Sequence, residues 1–162
     1  MFRSTKAWTP EDGLSCTFRQ WRAESHCKYL HGYALGIELT FEAEDLDIRN
    51  WVVDFGSLKS FKQILTDNLD HKTLVAFDDP RFKDFQAMHD LGMIDMVRVE
   101  ATGCEKLAEM LGDIADGWLR DAGYKPRVRL VSCKVWEHDK NSATWFPPVN
   151  DSVNCGCNIS VG

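Results

Sequence analysis

The chain has 162 residues, 44% of them apolar and 27% charged, with a formal net charge of −6. That apolar content supports one core-bearing domain, and the acidic balance excludes a general attraction to nucleic acid or to an anionic membrane surface. No window is long and apolar enough for a spanning helix, and the N-terminal MFRSTKAWTPEDG turns polar within a few residues, unlike a signal peptide; a cytoplasmic protein is expected.

In chain order, FRSTKAW and LSCTFRQW are β-prone and separated by the turn signal TPEDG, so they form either a hairpin or one bent arm. YALGIELTFEAE alternates apolar and polar from Tyr33 to Phe41, the pattern of a half-buried strand. Asp54 then can cap a helix over FGSLKSFKQILTDNL, with Leu58, Phe61, Leu65 and Leu69 on one face. A second helix is expected from Thr102, where TGCE has the capping-box pattern and Leu107, Leu111, Ile114 and Trp118 follow at helical spacing, ending around DAGYKP. RVRLVSCKVWE and ATWF complete the chain as strands. No linker or repeat interrupts this order, so residues 1–162 read as a single α+β domain, an antiparallel sheet carrying two helices on one face, with an atypical tail over about 147–162.

Six cysteines could suggest disulfides, yet Cys16, Cys27, Cys104 and Cys133 are scattered through core-like segments and read as thiols. Cys155 and Cys157 form a C-x-C in the tail, with no second pair to complete a zinc ribbon.

CKYLHGY, WVVDFGSLK, LDHKTL, ATGCEKLAEML and CKVWE occur in succession between about residues 14 and 146. This ordered set resembles the 6-pyruvoyl-tetrahydropterin and 6-carboxy-tetrahydropterin synthase family. The resemblance implies the tunnelling fold, in which ββααββ subunits join their sheets into an oligomeric barrel, a homohexamer with active sites between subunits.

It also implies roles for particular residues. Cys27 stands at the position that acts as nucleophile or takes a proton, work that needs thiolate. Asp70 and His71 match a D-H pair acting with that thiol, the carboxylate holding the imidazole in one tautomer. Glu137 matches the position that accepts paired hydrogen bonds from the amino-pyrimidine edge of a pterin. Thr102 and Glu105 fall in a segment that lines the pterin pocket, although a capping box accounts for both without a ligand. Arg19, Arg22 and Lys28 are triphosphate contacts or solvated charges.

The metal pattern departs from the family. Its zinc is held by three histidines, one on an early strand and two in H-G-H. Here His31 is present, Tyr33 takes the second position of the pair, and the early strand offers Phe18, or Cys16 in a shifted alignment. Cys16 and His26 are chemically able to substitute, whereas Phe18 cannot coordinate and Tyr33 would have to be a phenolate. Two functions follow. One is a lyase like 6-carboxy-tetrahydropterin synthase, acting on 7,8-dihydroneopterin triphosphate in 7-deazaguanine (queuosine-type) synthesis. The other is a metal-free divergent member that binds a pterin or purine-like molecule without that reaction.

Overall fold

A computed structural model of the chain describes residues 1–148. Eight strands and three α-helices are arranged in two four-stranded sheets. The first sheet has the order β1 (Phe2–Trp8), β4 (Gly36–Ala43), β7 (Val128–His138), β8 (Asn141–Trp145), antiparallel throughout. The second has the order β3 (His31–Ala34), β2 (Ser15–Phe18), β5 (Lys72–Ala76), β6 (Asp95–Val99); β3 and β2 are antiparallel, and β2, β5 and β6 run parallel.

The α+β class and the antiparallel sheet agree with the sequence reading. The second sheet and the helix α2 (Phe82–Asp90) between β5 and β6 add to it. FRSTKAW and LSCTFRQW do not pair: a turn at Pro10–Asp12, closed by Gly13 at φ 84°, sends the first to β4 and the second to β3 and β5. The strand expected from Tyr33 to Phe41 breaks at Leu35, where the chain passes from the second sheet to the first.

The helices α1 (Lys59–Leu69) and α3 (Cys104–Asp121) bury the faces that periodicity marked. Leu58, Phe61, Leu65, Leu69, Leu107 and Leu111 are all buried, and Ile114 packs at the edge of the same core. A fully buried side chain of this size contributes about 1.5–3 kcal/mol, so these two faces dominate the helices' attachment. Phe61 lies 5.5 Å from the Trp8 ring and 6.0 Å from that of Trp118, joining β1, α1 and α3, while the Trp118 indole donates to Ser60 Oγ at 2.9 Å.

Both expected helix starts need correction. Asp54 accepts from the Gly56 amide at 2.7 Å and organises a turn, but regular helix begins five residues later at Lys59. Thr102 and Glu105 make no capping box: Gly103, at φ 106°, is the N-cap, and the Thr102 hydroxyl donates to the Arg19 carbonyl at 2.7 Å. The α3 end is as expected, with Gly123 at φ 75° and its amide on Arg120 O at 3.0 Å.

β7 carries two irregularities. Leu130 pairs with Phe41 and Ser132 with Thr40, which leaves Val131 as an extra residue; Trp136 pairs with Ser142 and His138 with Asn141, which leaves Glu137 as another. Across from Trp136, a Cβ on Gly36 would lie 1.8 Å from the indole, so the ring can cover the strand there only because the residue is glycine. The C-x-C pair Cys155/Cys157 lies outside the described residues, as does most of the tail.

Candidate active site

The antiparallel register of β2 and β3 sets Phe18 opposite His31 and Cys16 opposite Tyr33, so the four side chains share one face. Three of them form an aromatic triangle: ring centroids are 5.4 Å apart for Phe18 and His31, 5.4 Å for His31 and Tyr33, and 6.3 Å for Phe18 and Tyr33. Phe18 is fully buried. His31 is oriented from outside the triangle, its Nδ1–H donating to the Tyr29 carbonyl at 2.7 Å, which leaves Nε2 as the nitrogen with an unshared pair.

The bulge at Glu137 brings its carboxylate to the same region. Burial, with the Glu137 and Glu105 charges adding to it, pushes the Cys104 thiol up to about 12. Cys16 is likewise pushed up to about 12, by burial and then by Cys104 and Glu137. Burial raises the Tyr33 phenol too, followed by Glu137, Cys27 and Cys104, so Tyr33 stays a neutral donor beside these groups. Cys27 is half-buried in a single 3₁₀ turn, His26–Lys28, where its amide donates to Ser25 Oγ at 3.3 Å.

Asp70 and His71 stand apart from this group. His71 takes a positive φ of 58°, its amide donates to Ser15 O at 2.7 Å, and its Nδ1–H donates to Asp70 at 2.8 Å, which turns Nε2 outward from a ring 87% exposed. Cys27 is tied instead to Gln20, beyond the other end of β2, its carbonyl accepting from the Gln20 amide at 2.9 Å. At about 3.3 Å per residue, the strand from Ser15 to Gln20 covers about 16 Å. Asp70 and His71 thus hold one another, with no contact to Cys27 within one chain.

Of the remaining expected residues, Thr102 is engaged with Arg19, and Glu105 is exposed, with its carboxylate beside Gly103 next to the Gln20 amide. Arg19 and Arg22 are turned to carboxylates, Asp79 and Asp78, and not to an open anion site. Cys104, whose thiol feels the Glu137 charge, is a site neighbour that sequence reasoning placed only as a core thiol within a capping pattern.

A family model, 6-pyruvoyl tetrahydropterin synthase, matches residues 9–148. The chain belongs to this family. Among curated relatives it is 24% identical over 135 residues to 6-carboxy-5,6,7,8-tetrahydropterin synthase of Aquifex aeolicus, covering 82% of this chain and 83% of the other. It is 28% identical over 142 residues to the putative enzyme of that name from Pyrococcus abyssi, covering 84% and 85%. Among solved structures, an uncharacterised protein of Wolinella succinogenes superposes with a TM-score of 0.75 at 20% identity, covering 91% of this chain and 98% of that one. The 6-pyruvoyl tetrahydropterin synthase of Plasmodium vivax gives 0.64 at 14% identity, covering 92% and 100%. These likenesses fix the fold.

The zinc that the resemblance implies does not fit the donors present. In the triangle only His31 can ligate: Phe18 has no donor atom, and Tyr33 is held as a phenol. The Cys16 thiol is buried and strongly protonated, and His26 lies outside the triangle with its ring stacked on Tyr29 at 6.4 Å. Among the described residues, no three His, Cys, Asp or Glu side chains are gathered to hold a metal ion. Among the same residues, no helix is long and apolar enough to cross a membrane.

Proposed function

We propose that the protein is a lyase of the 6-carboxy-tetrahydropterin synthase type, acting in the cytoplasm on 7,8-dihydroneopterin triphosphate in 7-deazaguanine (queuosine-type) synthesis. The observation that carries this reading is the convergence of Glu137, Cys27 and Tyr33 on one region of a chain that the family model matches over residues 9–148. Glu137, displaced from the ladder by its bulge, accepts hydrogen bonds from the amino-pyrimidine edge and fixes the ring. Cys27 then takes a proton from a side-chain carbon, the electron pair left behind expels triphosphate as its carbon–oxygen bond breaks, and the end of the side chain is lost afterwards with uptake of one water. His71, its Nδ1 held by Asp70, offers Nε2 as the second proton carrier. Thr102 holds the Arg19 carbonyl, and Glu105 lies beside Gly103 at the start of α3, where both are available to line the pterin site.

A homohexamer reconciles the separation of Cys27 from His71, since an exposed His71 on one copy is available to the Cys27 region of another. Among the described residues the first sheet supports this with two unpaired edges, β1 and β8, of opposite direction, so that β1 of one copy can continue β8 of the next in antiparallel fashion. Beside β1, Phe2, Trp51 and Phe55 are exposed around an apolar pocket of about 520 Å³. A monomeric mass by light scattering at micromolar concentration refutes this assembly.

The aromatic triangle favours a second reading, a metal-free member that binds a pterin or purine-like ring without the family reaction. Incubation of the purified, chelator-treated protein with 7,8-dihydroneopterin triphosphate, followed by mass detection of products, separates the two. Product formation supports the lyase; ring binding by calorimetry without product supports the alternative.

A further inference from the structure

The Cys27 turn contains only one short 3₁₀ segment, so the position of its thiol depends on what holds the two flanks of the loop. One flank begins at Arg19 and Gln20, and the Gln20 amide reaches across to the Cys27 carbonyl at 2.9 Å. The Arg19 carbonyl is held from behind by the Thr102 hydroxyl at the start of α3. The Arg19 guanidinium turns the other way and makes a two-point contact with Asp79, Nε to Oδ2 at 2.8 Å and Nη2 to Oδ1 at 2.5 Å, with Nη1 directed at the Lys28 carbonyl at 3.5 Å.

Asp79 is itself immobilised. Its carboxylate accepts from the Arg81 amide at 2.8 Å, its carbonyl accepts from Phe82 at 2.9 Å, and its side chain is only 1% exposed. A carboxylate this buried needs its cation, and a planar guanidinium fork fixes direction as well as distance. The neighbouring pair Arg22 and Asp78 joins the same two segments but is solvent-exposed on both sides.

We propose that the Arg19–Asp79 pair is the positioning device of Cys27, anchoring the residue 19–28 loop to the turn before α2 so that the thiol is presented at a fixed place beside Tyr33 and Glu137. Arg19 thus acts through the loop and not on a substrate phosphate. The assignment deepens the lyase reading, in which Cys27 moves a proton, but its test needs no substrate.

The measurement is the alkylation rate of Cys27 by iodoacetamide in the full chain, followed by peptide mass mapping, with the buried Cys16, Cys104 and Cys133 as internal reporters of global opening. Asp79→Asn keeps the shape and removes the charge; Arg19→Lys keeps the charge and removes the fork. Both are expected to raise the Cys27 rate by about fivefold or more, the effect of losing about one kcal/mol of local ordering, while the buried thiols stay silent and Arg22→Ala changes nothing. A Cys27 rate unchanged in both variants overturns the proposal. So does a rise of all four thiols together in both, since the pair then supports the fold as a whole. If Asp79→Asn alone opens globally, Arg19→Lys decides. Absence of the lyase reaction leaves the alkylation result standing.

Discussion

The aromatic triangle can be turned back into a metal centre, and the geometry says how well. Zinc sits about 2.05 Å from an imidazole nitrogen in a tetrahedral site, so with about 1.15 Å from that nitrogen to the ring centre, two ligand rings are separated by about 5.2 Å. The observed separations of 5.4, 5.4 and 6.3 Å are close to that figure. Phe18→His with Tyr33→His therefore places three imidazoles around one point, with an adjustment of about 0.2 Å on two sides and about 1 Å on the third. The double variant is expected to retain about one zinc per chain after dialysis against mild chelator, whereas the parent protein retains a small fraction. At a free zinc concentration of a hundred times Kd, the bound metal adds about 2.7 kcal/mol, which for a domain of this size raises Tm by about 5–11 °C. Elemental analysis and paired melting curves with and without zinc read both quantities. A folded double variant with no zinc and no shift refutes the geometric argument; a parent protein with one tightly held zinc refutes the reading of the site as metal-free.

The remaining expectations are more local. Cys27→Ala should lower turnover by orders of magnitude with pterin affinity nearly intact, because the thiol is needed mainly in the transition state, while Glu137→Gln should weaken binding by about 1.5–3 kcal/mol; calorimetry and single-turnover assays on the two variants must show opposite signatures. Burial raises the Asp79 carboxyl, but Arg19 and the Arg81 amide outweigh it, so its native value lies below the ordinary one. The ion pair's contribution is then fully present above the unfolded value of about 3.9 and is lost as pH falls through the lower native value. Urea midpoints between neutral pH and that acid window should fall more steeply for the parent than for Asp79→Asn, and equal slopes refute the coupling. Gly36→Ala should destabilise the domain by about 1–3 kcal/mol, the cost of overpacking, since Trp136 occupies the place of the new methyl group; a neutral melting curve would show that the indole moves aside freely.

Much of the architecture was legible because it is written in short periods. Leu58, Phe61, Leu65 and Leu69 repeat at helical spacing and all are buried. What periodicity could not show is pairing at long range: β2 lies beside β5 through Cys16 and Lys72, and Arg19 meets Asp79 sixty positions away. The α2 region was silent for a different reason, since this nine-residue helix buries only Phe85 and leaves little apolar pattern to read. At the site, ordered motifs identified Cys27, Asp70, His71 and Glu137 as candidates. They could not reveal that Phe18 faces His31, which depends on strand register, or that the dyad sits away from the thiol.

The extra residue at Val131 has a consequence for how this strand can change in length. Before it, Val128 and Leu130 are the core-facing positions of β7; after it, Cys133 and Val135 are, so the inward parity of the strand passes from even to odd numbers. Glu137 continues the odd set. Deleting Val131 would make Leu130–Phe41 and Ser132–Thr40 consecutive pairs of a regular ladder and leave Cys133, Val135 and Glu137 on the core face, whereas deleting Lys134 while keeping the pairing before it would turn Val135 and Glu137 to the opposite face. The bulge is thus the one place in the middle of this strand where a residue can be lost without moving the Glu137 carboxylate, the proposed ring anchor, and a deletion at Lys134 removes it from its place without altering any of its neighbours.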